Sequence, residues 1–185
     1  MSYSRNFGFR SFENVVRMAR HRVPATPAGG FAIGSGIVVD PTDPGFLTRP
    51  GANATPTPLS GICVFEHIQY QGDDPWLTSP QDGTKQFAPN GAYAQIVRGV
   101  GTKVWFRDVG NKTLYDGRVQ QNEQLLADAV VTAIEASNGL LTAFANGLAP
   151  AADGKWQIAD AVANAWLAVE QVNPSTGVIE CRFTF

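Results

Sequence analysis

Across residues 59–70 apolar side chains recur with a period of two but fall on both sides of an extended chain. Ile62, Val64, Ile68 and Tyr70 lie on one side, and Cys63 and Phe65 on the other. That pattern predicts a central β-strand with both faces covered. Tyr93, Gln95 and Val97, followed by Lys103-Val104-Trp105-Phe106-Arg107, predict two more strands, with a bulge or tight turn at Gly99 and Gly101. At the end of the chain Val178, Glu180, Arg182 and Thr184 alternate with Ile179, Cys181, Phe183 and Phe185. Turn signals at Asp153-Gly154 and Pro174-Ser175-Thr176-Gly177 bracket residues 161–172, so the protein is predicted to end in two antiparallel strands, with Phe185 tied into the sheet.

Residues 124–137 are ambiguous. Leu125, Leu126, Ala129, Val130, Ala133 and Ile134 share one helical face and Asn138-Gly139 could cap its end, yet Val130-Val131-Thr132 is β-branched. Gly34-Ser35-Gly36 precedes the apolar run Ile37-Val38-Val39 instead of lying between a strand and a helix. It reads as a turn into a first strand, not as a phosphate-binding loop. Residues 41–58, rich in Pro, Thr and Ala, read as a long surface loop whose length suggests a contact role. Short strands separated by turns every ~8–12 residues make the expected fold mainly β: a small antiparallel β-barrel or sandwich, with an extended N-terminal arm and room for one short helix.

Composition supports this class. Among 185 residues, 19 Gly, 12 Pro and a charged fraction of only 16% exclude a coiled coil or helical bundle. The net charge of −2 gives no global reason to expect nucleic acid or an anionic membrane as partner. No apolar run approaches the ~18–20 residues of a membrane span, and the arginines near the N-terminus have no apolar export segment behind them. The expectation is therefore a soluble chain made in the cytoplasm. Cys63 and Cys181 are too few for a disulfide scaffold and sit in apolar, strand-like stretches, as buried free thiols do.

Charge is divided along the chain. Residues 1–28 carry five arginines against a single acid, Glu13, and stand at +4, which leaves residues 29–185 at −6. Phe7, Phe9 and Phe12 are interleaved with Arg5, Arg10, Arg17, Arg20 and Arg22. Aromatic and Arg side chains together are the composition of interface anchors, so these eight residues are the candidate partner-binding set. A short helix over residues 11–21 is one possible form for part of this basic arm, and Gly29-Gly30 reads as its boundary with the β-rich body.

Catalysis finds little support. His21 sits in the arm and His67 mid-strand, Asp73-Asp74 lies in a turn before Pro75, and no nucleophile elbow, C-x-x-C, H-E-x-x-H or P-loop occurs. Neither Asp40/Asp43 nor Asp73/Asp74 has the spacing of a calcium loop. No catalytic residue, metal or cofactor is expected. The alternative function is a glycan-binding or adhesion module, with Trp76 and Trp156, which follow turns, as exposed stacking platforms and Trp105 and Trp166 in the core.

The opening Asn6-Phe7-Gly8-Phe9-Arg10-Ser11-Phe12-Glu13-Asn14-Val15-Val16-Arg17, the turn Ala152-Asp153-Gly154-Lys155-Trp156, and the closing Ala165-Trp166-Leu167-Ala168-Val169-Glu170 through Ile179-Glu180-Cys181-Arg182-Phe183 resemble minor capsid or decoration (cement) proteins of tailed bacteriophages. The last 35 residues carry most of the resemblance, and residues 60–145 contribute little. It implies a small β-barrel-like virion protein on the capsid exterior, often a homotrimer, that binds the major capsid protein and cements neighbouring subunits. No nucleic acid, membrane or chemistry is implied. On this reading the arm and the 41–58 loop spread over adjacent subunits.

Overall fold

The structure is a computed structural model that describes residues 7–24, 31–32, 34–65, 87–88, 93–108 and 124–185. In chain order its strands are β1 (Phe7–Ser11), β2 (Val16–Arg22), β3 (Phe31–Ala32), β4 (Gly36–Val39), β5 (Leu47–Thr48), β6 (Ser60–Phe65), β7 (Phe87–Ala88), β8 (Tyr93–Arg98) and β9 (Lys103–Arg107). The helix α1 (Asp128–Ala136) follows, then β10 (Leu148–Pro150), β11 (Trp156–Ile158), β12 (Leu167–Asn173) and β13 (Val178–Phe183). A six-stranded sheet has the order β1-β9-β13-β12-β10-β11, and a five-stranded sheet has the order β2-β8-β6-β4-β5. A third ladder pairs β3 with β7. The fold is mainly β and sandwich-like; it does not close into a barrel.

Alternation decides which side chains meet in the core. From the six-stranded sheet Phe7, Val104, Phe106, Ile179, Cys181 and Phe183 are fully buried, and they join Ile37, Ile62, Val64 and Ile96 of the five-stranded sheet in one cluster. Gly61–Val64 of β6 and Ala94–Val97 of β8 are buried position after position, as expected for strands covered on both faces. The stretch 66–70, expected to prolong β6, lies outside the described residues.

Several expectations are met in detail. β8 and β9 flank Gly99 and Gly101, both at positive φ (150° and 89°), and β12 and β13 close the chain as an antiparallel pair. The ambiguous stretch resolves into two parts. Leu125 and Leu126 are extended, bonded through Trp156 N to Leu125 O and Ala127 N to Trp156 O, both at 2.8 Å, and only then does α1 begin. Val130 and Ile134 face the core, and Asn138 and Gly139 adopt the positive φ that ends a helix.

The N-terminal expectation is corrected. Residues 7–22 are two edge strands of the sandwich: β1 pairs with β9 through Phe7↔Phe106, Gly8↔Trp105 and Phe9↔Val104, and β2 pairs with β8 through Val16↔Arg98 and Arg17↔Val97. They form no helix and no arm apart from the body, because Phe7 completes the core and pairing satisfies their backbone. β4 is accordingly not the first strand. The 41–58 loop is also drawn onto the body. Asp40 Oδ1 accepts from Thr42 N and Thr42 Oγ1 to shape its first turn, Leu47–Thr48 adds β5, and Ala54 O accepts a 2.7 Å bond from Trp166 Nε1.

Candidate partner-binding surface

The structure separates the candidate residues. Phe7 is fully buried, its ring 5.5 Å from Phe106 and 5.3 Å from Phe9. It is core, not contact surface. Phe9 is half-buried and stacks at 4.9 Å on Phe12, which is 48% exposed. Arg10 stands on the outer face of the six-stranded sheet, whereas Arg17 and Arg22 are exposed on β2 of the other sheet. The backbone of Arg20 belongs to β2, and Arg5 lies outside the described residues.

Phe12 belongs to a corner built by two turns. The β1–β2 connection meets the β8–β9 connection, where Thr102 Oγ1 donates to Glu13 O (2.6 Å) and accepts from Glu13 N (2.9 Å). Asn14 Nδ2 adds a bond to Val100 O. A Cβ on Gly99 would collide with the carbonyl of Asn14, so glycine lets the two turns touch. Phe12 and Val100 lie in these two bonded turns, Val16 pairs with Arg98 just beyond them, and all three side chains are exposed. Three large apolar side chains thus share one corner of the sandwich.

The outer face of the six-stranded sheet is the second feature. Val104 and Phe106 point inward, so Lys103, Trp105 and Arg107 point outward. Trp105 lies across Gly8 of β1, with the guanidinium carbons of Arg10 and Arg107 each 5.7 Å from its ring centroid. Arg10 binds Glu180 Oε1 through Nε (3.0 Å) and Nη2 (2.9 Å), and Glu170 takes Lys103 Nζ and Arg182 Nε at 2.8 Å each. The hydrogen bond and charge of Lys103 hold the Glu170 carboxyl below its usual range, and the same partner raises Lys103.

Trp105 was expected in the core and Trp156 at the surface; the structure reverses them. Trp156 is fully buried, its Nε1 donating to Gly34 O at 2.8 Å, and Trp166 is buried beside it at 6.0 Å between ring centroids. Trp76 lies outside the described residues, so the glycan reading loses Trp156 as its platform. The sequence signal that locates Trp105 is its alternation with Val104 and Phe106, which groups it with two cations.

Both cysteines are free and buried, and desolvation pushes the Cys63 thiol up to about 12 and the Cys181 thiol upward as well. No family model, curated protein or solved structure matches the chain. Among the described residues no three His, Cys, Asp or Glu side chains gather to hold a metal ion, and no helix is long and apolar enough to cross a membrane. His21 is spent on a structural contact, its Nδ1 lying 3.0 Å from Pro44 O.

Proposed function

We propose that this chain is a non-enzymatic structural protein that binds the outside of a tailed-bacteriophage capsid, as a homotrimer, and stabilises contacts between major capsid subunits. The observation that supports the reading best is the apolar corner at Phe12, Val16 and Val100. Two turns bonded to one another carry Phe12 and Val100, Val16 begins the strand beside them, and an exposed apolar group on a pre-formed surface loses little entropy when a partner covers it. The likeness of residues 6–17 and of the closing strands to decoration proteins supports the assignment to a capsid partner.

Removing residues 1–22 would delete β1 and β2 and unfold the protein, so surface substitutions make the better test. The chain should copurify with virus particles in stoichiometric amount, and F12S combined with V100S should lower its occupancy at least tenfold without changing its thermal midpoint. Undiminished occupancy by the doubly substituted chain, or a wild-type chain missing from particles, overturns the proposal. A wild-type chain that sediments as a monomer at working concentrations overturns the trimer.

A further inference from the structure

An indole on the solvent side of a sheet leaves apolar area in water unless something covers it. Trp105 is covered from beneath by the Gly8 backbone and flanked by Arg10 and Arg107. The two arginines differ in what they bind. Arg10 is committed to Glu180, and the nearby Lys103 and Arg182 share Glu170. Arg107 makes no ion pair among the described residues, and its Nε is sealed from water with no acceptor in reach. Arg10, Lys103, Arg107 and Arg182 against Glu170, Glu180 and Glu13, whose charge reaches Lys103, leave the described part of this face at +1 on a chain whose total is −2. Among the described residues the Arg107 guanidinium thus has no carboxylate partner, and it lies beside a partly exposed indole on a face whose charge opposes that of the remaining chain.

We propose that the outer face of the six-stranded sheet, centred on Trp105 between Arg10 and Arg107, docks an acidic segment of a partner protein. A partner carboxylate takes the two terminal nitrogens of Arg107, whose fork matches it geometrically, while the segment beside it packs on the indole. This deepens the structural reading above and rests on it, adding the chemistry of the partner. Trp and Arg are the residues that dominate binding energy when they lie together within an interface. A polyanionic nucleic acid fits less well. It needs a track of uncompensated cations, whereas Glu170 and Glu180 are set into this face and would stand beneath successive phosphates.

The test uses the full chain, 15N-labelled at tryptophan, titrated with a capped tetraglutamate peptide while the Trp105 indole N–H is followed by NMR. A saturable shift at Trp105 is expected, with R107Q weakening the peptide at least tenfold and K155Q, on a distant turn, leaving it unchanged. No shift at Trp105, or equal weakening by K155Q, overturns the proposal. So does tighter binding of oligothymidylate at the same residues, which would make the ligand a nucleic acid. A shift that depends on protein concentration without peptide overturns it in favour of a second copy of the chain. Particle occupancy separates the two readings: R107Q bound to capsids at the wild-type level sinks the acidic docking site and leaves the structural role standing. A wild-type chain absent from capsids removes that role, while the peptide titration still decides this site.

Discussion

Trp105 lays its indole so closely over Gly8 of the neighbouring strand that a Cβ on residue 8 would stand 2.6 Å from the indole Nε1. The pair is directly opposed in the β1–β9 ladder, so the absence of a side chain at position 8 is what lets the ring lie flat. G8A should lift the indole off the sheet and into water. The expected readings are a red shift in tryptophan emission and a stability loss of about 1–3 kcal/mol, the usual range for a side chain forced into occupied space. Because strand pairing survives, the far-ultraviolet circular dichroism should not change. An unshifted emission spectrum would mean that the ring does not depend on Gly8.

Phe7 and Phe12 are five residues apart and carry opposite expectations. Phe7 is fully buried against Phe106, and truncating such a side chain leaves a cavity, so F7A should cost about 3–5 kcal/mol. Phe12 is 48% exposed, and F12A should cost less than about 1 kcal/mol. Urea unfolding of the two variants measures the contrast. Equal losses, or a larger loss for F12A, would contradict the placement of β1 in the sheet.

That contrast also shows what was legible beforehand. β8, β9, β12 and β13 could be read because alternation and turn residues are local signals; of the four, β12 and β13 pair with each other across a short turn, whereas β8 and β9, though joined by one, belong to different sheets. β1 has the same alternation, Phe7 and Phe9 inward against Gly8 and Arg10 outward, but over only five residues set among arginines, where charge made the segment look like a tail. Its partner, β9, lies far along the chain, and no local pattern encodes that pairing. Trp156 shows the same limit. It follows a turn, as an exposed residue would, yet Leu125, Ala127 and Gly34 close over it from distant parts of the chain. Of the candidate site, Phe9, Phe12 and Arg10 were in the expected set, while the stacking of the two rings was not. The Gly8–Trp105–Arg107 arrangement needed the register of β1 on β9.

Cys63 and Cys181 give a probe of cooperative unfolding. Both are fully buried, and desolvation raises both thiols, Cys63 to about 12, so neither forms thiolate near neutral pH in the folded protein. A thiol reagent at pH 8 should label neither residue in buffer and both in denaturant. Labelling in buffer should proceed only at the rate of unfolding. Rapid labelling of either cysteine in the folded state would contradict the burial of β6 or β13.

Glu170 makes stability depend on acid in a direction that can be worked out. Its carboxyl pKa is lowered from 4.5, chiefly by the hydrogen bond from Lys103, with Coulombic help from Lys103 and Arg182. A carboxyl depressed in the folded state stabilises above its unfolded pKa and loses that contribution as pH falls through the folded value. Lys103, raised from 10.5 chiefly by its hydrogen bond to Glu170, keeps its charge throughout this range and loses its share only in strong alkali. E170Q removes the carboxylate at every pH. Its urea midpoint should therefore lie below that of the wild-type protein by a constant amount between about pH 6 and pH 9, and the gap should begin to close as the pH falls below about 4.5, where the unfolded carboxyl takes up a proton, and close fully once the pH passes below the lowered folded value. Added salt should narrow the gap at neutral pH, because the three side chains are partly exposed. A gap of the same size at pH 3 and pH 7 would show that position 170 acts through packing and not through its charge.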